Sequence, residues 1–208
     1  AMETGAVDVA MADDIDTVVA SRLINNPDIV TRTDAYNGTG EITVMELNMR
    51  RWPFSDRRFR AAFLHAVDRE FLVKAINFGQ GKVATGPIPS TAPYYDPKVL
   101  TLYPYDPAKA KALLDEMGCK PKLGGIRHRF GIMLTPDGGG QMTRGAQYIK
   151  QALAQVGLEV ELEPTDWPTQ LRRSGNWEFD CDSNSYGEYG DPAIGTSRFY
   201  LSSNIRKG

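Results

Sequence analysis

Several residue types that mark common classes of function are scarce in this 208-residue sequence. It has two cysteines, Cys119 and Cys181, and two histidines, His65 and His128. No C-x-x-C pair is present, and neither histidine has a second ligand at the spacing of a metal site. The sequence therefore predicts no metal and no cofactor, and it favours free, buried thiols over a disulfide. We expect His65 on a helix surface and His128 in a strand.

Strong charge and long apolar runs are also missing. The formal net charge is −2, which gives no general attraction to nucleic acid or to an anionic membrane. No apolar run approaches the roughly 18 residues of a membrane helix, and none resembles a secretion signal. An apolar content of 41% with 24% charged residues is ordinary for a soluble globular protein. Because the chain opens with AMETGAVDVA and ends with SSNIRKG, we interpret it as an excised fragment.

Catalytic and phosphate-binding motifs are equally hard to find. There is no G-x-S-x-G, and the glycines at 79, 81 and 138–140 lack the context of a phosphate loop, so they predict turns. Glu178, Asp180 and Asp182 alternate along one predicted strand and could imitate a carboxylate pair. A solvated edge or a capping role is more common for such residues. An arginine cluster at 50–60 predicts a solvated helix face, or contact with another lobe.

What the sequence does contain is a regular alternation of helical and extended patterns. Strands are predicted at 7–11, 29–32, 41–48, 128–134, 158–163 and 179–186. Helices are predicted at 13–25, from Ser55 to Phe78 in two pieces, at 108–117, at 141–156 and after Asp166. A Gly/Pro-rich connection covers 79–97. This order predicts α/β packing, with a mixed sheet and flanking helices.

Caps and apolar spacing support these helices. Ser55, Asp68, Asp106 and Asp166 each stand where a side chain can accept an amide hydrogen bond of a first turn. Apolar residues at helical spacing predict buried stripes, which comprise Phe59, Phe63 and Val67 in one helix and Met142, Ala146, Ile149, Leu153 and Val156 in another.

Five segments, taken in order, resemble one known family. They are NMRRWPFSDRRFRAAFLHAVDRE from Asn48, GQGKVATGPIPS, YPYDPAKAKALLDEMG, QALAQVGLEVELE and GEYGDP. This series is similar to the family 5 extracellular solute-binding proteins, the peptide- and nickel-binding receptors of ABC importers. The resemblance implies a lobe of a type II periplasmic-binding-protein fold. Residues 1–47 would end the first lobe and cross the hinge, and residues 48–208 would form the second lobe, incomplete at its C-terminal end.

The same resemblance implies a ligand-binding acid. In peptide-binding members an acid in the segment corresponding to GEYGDP pairs with the ligand's α-ammonium group, and Glu188 stands at that place. Gly187 would let the backbone approach a ligand, and an ion pair there is strong only where the closed cleft excludes water. A solvated loop carboxylate, or a cap on the next turn, is the alternative for Glu188.

Three aromatic residues complete the expected site. Trp167 matches the family's aromatic residue at the head of a short helix, and Tyr186 and Tyr189 flank the acidic loop. Aromatic rings stack on sugar or peptide faces, but they also pack in cores. For Trp167 both interpretations stay open, and Tyr186 could face either side of its strand.

One segment departs from the family pattern. Dipeptide-binding relatives carry an arginine after the strand corresponding to HRFGIML, whereas this sequence has TPDGGG, with no basic residue before Arg144. A guanidinium is the natural partner of a carboxylate. The departure argues against a dipeptide held at both ends and favours an oligopeptide, an oligosaccharide or another polar solute.

The resemblance thus implies the solute-binding component of an ABC importer rather than an enzyme. Such a protein would be a monomer in the periplasm, or a lipoprotein at the cell surface, and would dock on membrane permease subunits. One alternative is a sensor domain that feeds a receptor. Another is a glycan-processing enzyme that uses Glu188 with Asp191 or Asp182.

Overall fold

A computed structural model describes residues 1–11, 15–32, 39–98, 103–136, 140–187 and 189–205 of the chain. The strands are β1 (Ile42–Leu47), β2 (His128–Leu134), β3 (Leu158–Pro164) and β4 (Cys181–Tyr186). The helices are α1 (Thr17–Leu23), α2 (Arg57–Ala66), α3 (Arg69–Phe71, continued by a π-helical turn at Leu72–Ile76), α4 (Pro107–Glu116), α5 (Gln141–Ala154), α6 (Trp167–Gly175) and α7 (Ser197–Tyr200). None of the helices in these ranges is long and apolar enough to span a membrane.

The strands form one mixed sheet in the order β1-β4-β2-β3. Strands β4, β2 and β3 are parallel. Strand β1, the outermost strand on one side of the sheet, runs antiparallel to β4, with Ile42 opposite Tyr186 and Leu47 opposite Cys181. Parallel strands need crossover helices, which α5 and α6 supply. The α/β class and the mixed sheet predicted from the sequence are confirmed.

One face of the sheet carries the apolar core. Alternate strand residues point to this face and meet α2, α4 and α5; those from the strands are Met45, Leu47, Phe130, Ile132, Leu158, Val160, Leu162 and Cys181. The rings of Phe54, Phe59 and Phe130 pack edge-to-face, with centroids 5.1 and 5.2 Å apart around Phe54. The predicted stripes are buried here, except that Met142 is only half-buried.

The opposite face is polar. It carries the strand residues that alternate with those of the core. In the strand pairing, four of them lie side by side across the sheet: Glu46, Asp182, Met133 and Glu163. Helix α6 covers part of this face and reaches it through hydrogen bonds from Gln170, Arg173 and Ser174.

The predicted caps are mostly correct. Asp68, Asp106 and Asp166 accept hydrogen bonds from the amides of Phe71, Lys109 and Thr169. The prediction of Ser55 was wrong, since Asp56 caps α2 by accepting from the amide of Arg58 at 2.8 Å. The amide of Ser55 instead closes a turn on the carbonyl of Arg51.

The N-terminal predictions need the largest correction. Residues 7–11 and 29–32 form no strand. An apolar segment becomes a strand only when a neighbouring strand satisfies its amides and carbonyls. Helix α1 begins at Thr17, where Asp16 caps it. The earlier start predicted at residue 13 lies outside the described residues. The connection predicted at 79–97 contains turns and no helix or strand over 79–96, as predicted, whereas Pro97 lies in a 3-10 turn.

The two histidines and two cysteines have simple surroundings. The prediction that His65 lies on a helix surface was wrong. His65 is buried, and its Nδ1 lies 2.6 Å from the carbonyl oxygen of Pro104. His128 lies in β2 as predicted, and its ring meets that of Trp52 edge-to-face at 5.1 Å. Cys119 and Cys181 are free and buried, which confirms that prediction. Burial raises the pKa of the Cys181 thiol, so this thiol is unreactive at neutral pH.

Candidate functional site

The predicted site residues that the structure describes, which are Trp167, Tyr186, Gly187 and Tyr189, lie at or after strand ends on one edge of the sheet. Parallel strands β2, β3 and β4 all end there, and the antiparallel β1 begins there, since Ile42 pairs with Tyr186. The loop after β4 is joined to the segment before β1 by a hydrogen bond from the amide of Tyr189 to the carbonyl of Thr39, at 3.1 Å. The carboxyl ends of parallel strands are where α/β folds bind small molecules. We call this the carboxyl edge.

Trp167 occupies the first position of α6, directly after β3 ends. The carboxylate of Asp166 accepts from both the amide and the hydroxyl of Thr169, each at 2.9 Å, and these hydrogen bonds lower the pKa of Asp166. The cap therefore fixes the turn from which the indole projects. Trp167 is 49% exposed, so it is not a core residue, and its ring is available to a ligand at the carboxyl edge.

Tyr186 ends β4 and is half-buried. Its ring lies on that of Phe199 in α7, with centroids 4.0 Å apart and a tilt of 34°. The register puts Tyr186 in the same row as Asn184 and Asp182, on the polar face of the sheet. This resolves the orientation that the sequence left open.

Gly187 and Tyr189 lie close together beyond β4. Tyr189 has a left-handed backbone (φ 56°), which is uncommon for a residue other than glycine, and it is 58% exposed. Its ring folds back so closely that a Cβ on Gly187 would lie 3.1 Å from Cζ of Tyr189. A glycine at 187 therefore suits the folded-back ring. Glu188, between them, lies outside the described residues, and its role as the cation anchor stays a prediction.

A buried polar layer lies beneath the carboxyl edge. Asp182 is fully buried and accepts from Nε2 of Gln170 at 2.5 Å and from Oγ of Ser174 at 2.6 Å. Nε2 of Gln170 also donates to the carbonyl of Ser183, and its Oε1 accepts from the hydroxyl of Thr135. Sequence reasoning missed Gln170 and Thr135. No local pattern in the sequence marks either residue as part of a buried layer.

A second carboxyl group faces this layer. Glu46 stands directly opposite Asp182 in the β1–β4 pairing. Burial, and then the charge of Asp182, raise the pKa of Glu46 to about 7. Burial also raises the pKa of Asp182, although the hydrogen bonds from Ser174 and Gln170 oppose that rise. The sheet therefore contains a carboxyl pair in which one member is partly protonated near neutral pH.

The three acids at 178, 180 and 182 differ in their surroundings. Glu178 is exposed, as the sequence suggested, whereas Asp182 of β4 is not solvated. Asp182 is buried under α6, where it cannot reach a substrate in solution. Asp180 forms an ion pair with Arg51 at 2.8 Å, and Glu178 pairs with Arg172 at 3.1 Å. In the following loop, Asp191 accepts from the amide of Ala193 at 2.8 Å. These contacts give the acids structural roles.

Arg144 lies in the first turn of α5 and contacts the start of α1. Its guanidinium donates to the hydroxyl of Thr17, and one Nη lies 3.5 Å from the carboxylate of Asp16. The first basic residue after β2 is therefore engaged within the chain. The segment at 137–139 lies outside the described residues.

A mixed sheet whose loops gather at one edge is an architecture that lobes of ligand-binding proteins share with other α/β folds. The chain belongs to the bacterial extracellular solute-binding proteins of family 5: the model of the family's middle part matches residues 1–207. The family expectation from the sequence is confirmed.

Individual relatives agree with this assignment. The di/tripeptide-binding protein 2 of Pseudomonas aeruginosa (strain UCBPP-PA14) is 33% identical over 147 residues, which cover 70% of this chain and 27% of that protein. This chain therefore corresponds to about a quarter of that relative's length.

Solved structures give the same fold. The oligopeptide-binding protein AppA from Bacillus subtilis, in complex with a nonapeptide, is 25% identical with a TM-score of 0.66, over 93% of this chain and 43% of that one. A mannohexaose-bound periplasmic oligopeptide-binding protein from Thermotoga maritima is 26% identical with a TM-score of 0.61, over 70% of this chain and 30% of that one. Both structures contain a lobe like this chain.

Proposed function

We propose that this chain belongs to the solute-binding component of an ABC importer and forms one wall of the ligand cleft. The observation that carries the proposal is the carboxyl edge, where Trp167 and Tyr189 are exposed beside the ends of the parallel strands. Exposed aromatic rings on a rigid frame offer a large contact area at a low cost in rotamer entropy. In this proposal the second wall comes from another lobe, residues 1–47 lead out of that lobe, and residues 48–208 belong to this one.

The proposed ligand is an oligopeptide or another polar solute of similar length, such as an oligosaccharide. Relatives of this chain include a di/tripeptide-binding protein, a nonapeptide complex and a mannohexaose complex. Arg144 is engaged with Asp16 and Thr17, which is consistent with a ligand that is not held through a carboxylate at this point. Glu188 is the proposed partner of a ligand ammonium group, and Gly187 and Tyr186 complete the wall.

Capture and release follow from the two-lobe arrangement. A ligand that contacts both lobes only when they are closed binds the closed state more tightly than the open state. This difference in binding free energy shifts the equilibrium toward the closed state. The closed, monomeric protein then docks on permease subunits from the periplasm or the outer cell surface. No catalytic step is proposed. Asp182 is buried and hydrogen-bonded to Gln170 and Ser174, and Asp191 closes a turn by accepting from the amide of Ala193.

Calorimetry with a panel of peptides and oligosaccharides tests this proposal. The 208-residue chain alone offers one wall, so we expect weak or undetectable binding, whereas a longer protein containing both lobes binds one class of the panel. Tight binding by the 208-residue chain alone would contradict the two-lobe model.

Replacing Trp167 in the two-lobe protein tests the wall itself. We expect Trp167→Ala to weaken ligand affinity by about tenfold or more, since loss of a stacked ring costs about 1–3 kcal/mol. Trp52→Ala is the matched control, because Trp52 is similarly exposed (57%) but contacts His128 at the start of β2, on the opposite edge. Equal losses of ligand affinity in the two variants would show that the ligand does not bind at the carboxyl edge.

A further inference from the structure

Helix α6 is held on the sheet in an unusual way. Within Trp167–Gly175, all of which the structure describes, Gln170 is the one buried residue, and both large apolar side chains are about half exposed: Trp167 at 49% and Leu171 at 52%. Helices normally dock on sheets through a buried apolar stripe. The position of α6, and of the indole at its first residue, therefore depends on polar contacts.

Gln170 makes the central contacts. Its side chain is 2% exposed, and both of its polar ends are bonded. Oε1 accepts from the hydroxyl of Thr135, just beyond β2, while Nε2 donates to Asp182 at 2.5 Å and to the carbonyl of Ser183 at 3.1 Å. One amide thus joins α6 to the residue just beyond β2 and to the first half of β4. A planar amide held at both ends has a single allowed orientation.

We propose that Gln170 is a positioning residue for the ligand wall, which fixes the first turn of α6 and thereby the indole of Trp167 at the carboxyl edge. The two residues are three positions apart, so they lie one turn from each other on the helix. The functional meaning of this placement rests on the proposed function, but the placement itself can be measured without any ligand.

The charges around Gln170 make a pH-dependent test possible. The side chain of Gln170 does not titrate, and its partner Asp182 faces Glu46 from β1 and Ser174 from α6. Arg173 of α6 is also nearby but is bonded to Glu163 of β3 at 2.7 Å, and β2 contributes the uncharged Met133 and Thr135. A carboxyl group introduced by Gln170→Glu can donate to Asp182 only when protonated. When ionised it faces a second buried carboxylate and the contact is repulsive.

The experiment follows the indole N–H signals of the three tryptophans by NMR in the 208-residue chain. We expect Gln170→Met to shift and broaden the signal of Trp167, while Trp52 and Trp177 keep theirs. For Gln170→Glu we expect a Trp167 signal close to that of the parent chain at pH 5 and displaced at pH 8. The parent chain is measured at pH 5 and pH 8 as the reference, so that any change of the Trp167 signal caused by the titration of Glu46 can be subtracted. Gln151→Met, at an exposed position of α5, is the matched control.

Two further measurements keep the outcomes distinct. Thr135→Val removes one hydrogen bond at nearly constant volume, so it tests the same placement if Gln170→Met does not fold. An unchanged Trp167 signal in folded Gln170→Met and Thr135→Val, or a Gln170→Glu signal without the pH dependence, would overturn the inference. Ligand affinity in the two-lobe protein is a separate measurement: a displaced Trp167 signal with unchanged affinity would reject the proposed function of the wall and leave the placement of Trp167 intact.

Discussion

The two faces of the same sheet are built on different physical principles. On the core face, Phe54, Phe59 and Phe130 pack ring against ring among aliphatic residues of α2 and α5. On the other face, Glu46, Asp182 and Gln170 meet in a buried polar layer under α6. The apolar face gains free energy from every atom removed from water, whereas each polar group must find a partner to avoid a loss.

This difference separates stability from placement. Apolar contacts are non-directional, so the core face stabilises the sheet mainly through the area that it removes from water. Hydrogen bonds are directional, and those of Gln170 fix α6 in one orientation. The face that is held by directional contacts is therefore the one that lies next to the proposed ligand wall.

The largest expected effect comes from opening the core face. Phe59 is fully buried between Phe54 and Phe130, so we expect Phe59→Ala to lower the free energy of unfolding by about 3–5 kcal/mol. Leu171→Ala on the half-exposed side of α6 is the control and is expected to cost less than about 1 kcal/mol. Chemical denaturation measures both. Similar losses would mean that α6 is docked by apolar contacts after all.

A smaller loss is expected on the polar face. Asp182→Ala leaves the donors of Gln170 and Ser174 without their partner, and we expect a loss of about 2 kcal/mol at pH 8. Asp182→Asn keeps an acceptor and removes the charge opposite Glu46, so its loss should be smaller. If Asp182→Ala and Asp182→Asn unfold at the same denaturant concentration as each other, the hydrogen bonds that Asp182 accepts do not contribute to stability.

The smallest effect concerns the titration of Glu46, and its sign follows from linkage. The pKa of Glu46 rises from 4.5 to about 7 on folding, so between these values the folded chain holds a proton that the unfolded chain has lost. Stability due to this group is therefore full below about pH 4.5 and falls as pH rises toward 7. We expect Glu46→Gln to stabilise the chain at pH 8 by on the order of 1–2 kcal/mol, after allowance for solvent screening.

The check on Glu46 is a pair of denaturation curves at pH 5 and pH 8. The difference between Glu46→Gln and the parent chain should be larger at pH 8. Glu161→Gln, in β3 on the same face of the sheet, has no carboxyl partner opposite it and serves as the control. A benefit of Glu46→Gln that is equal at both pH values would show that folding does not raise the pKa of Glu46.

Sequence patterns predicted the core face well because its physics is periodic. The stripe of Phe59, Phe63 and Val67 is buried, and the caps at Asp68, Asp106 and Asp166 form as expected. Patterns failed where pairing with a distant segment decides the outcome. The segments at 7–11 and 29–32 have strand-like composition but no partner strand. His65 is buried because its ring nitrogen lies against the carbonyl of Pro104, 39 positions along the chain.

The candidate site divides in the same way. Trp167, Tyr186 and Tyr189 were identified from the sequence, and the structure brings their segments to one edge of the sheet. Asp182 was expected in a solvated or capping role, and Gln170 was not identified at all. Nothing local distinguishes a buried glutamine from an exposed one, because its burial depends on partners in β4 and after β2.

By itself, the amino-acid sequence determined the α/β class, most of the helices with their caps, and the apolar half of the interior. These depend on spacing within a dozen residues, where turn geometry and hydrophobic period act directly. Only the tertiary structure decided which strands are neighbours, and so which polar groups share the interior. It placed Glu46 against Asp182, and Gln170 between Thr135 and β4, because hydrogen bonds and charge pairs act between atoms that the chain brings together from far apart.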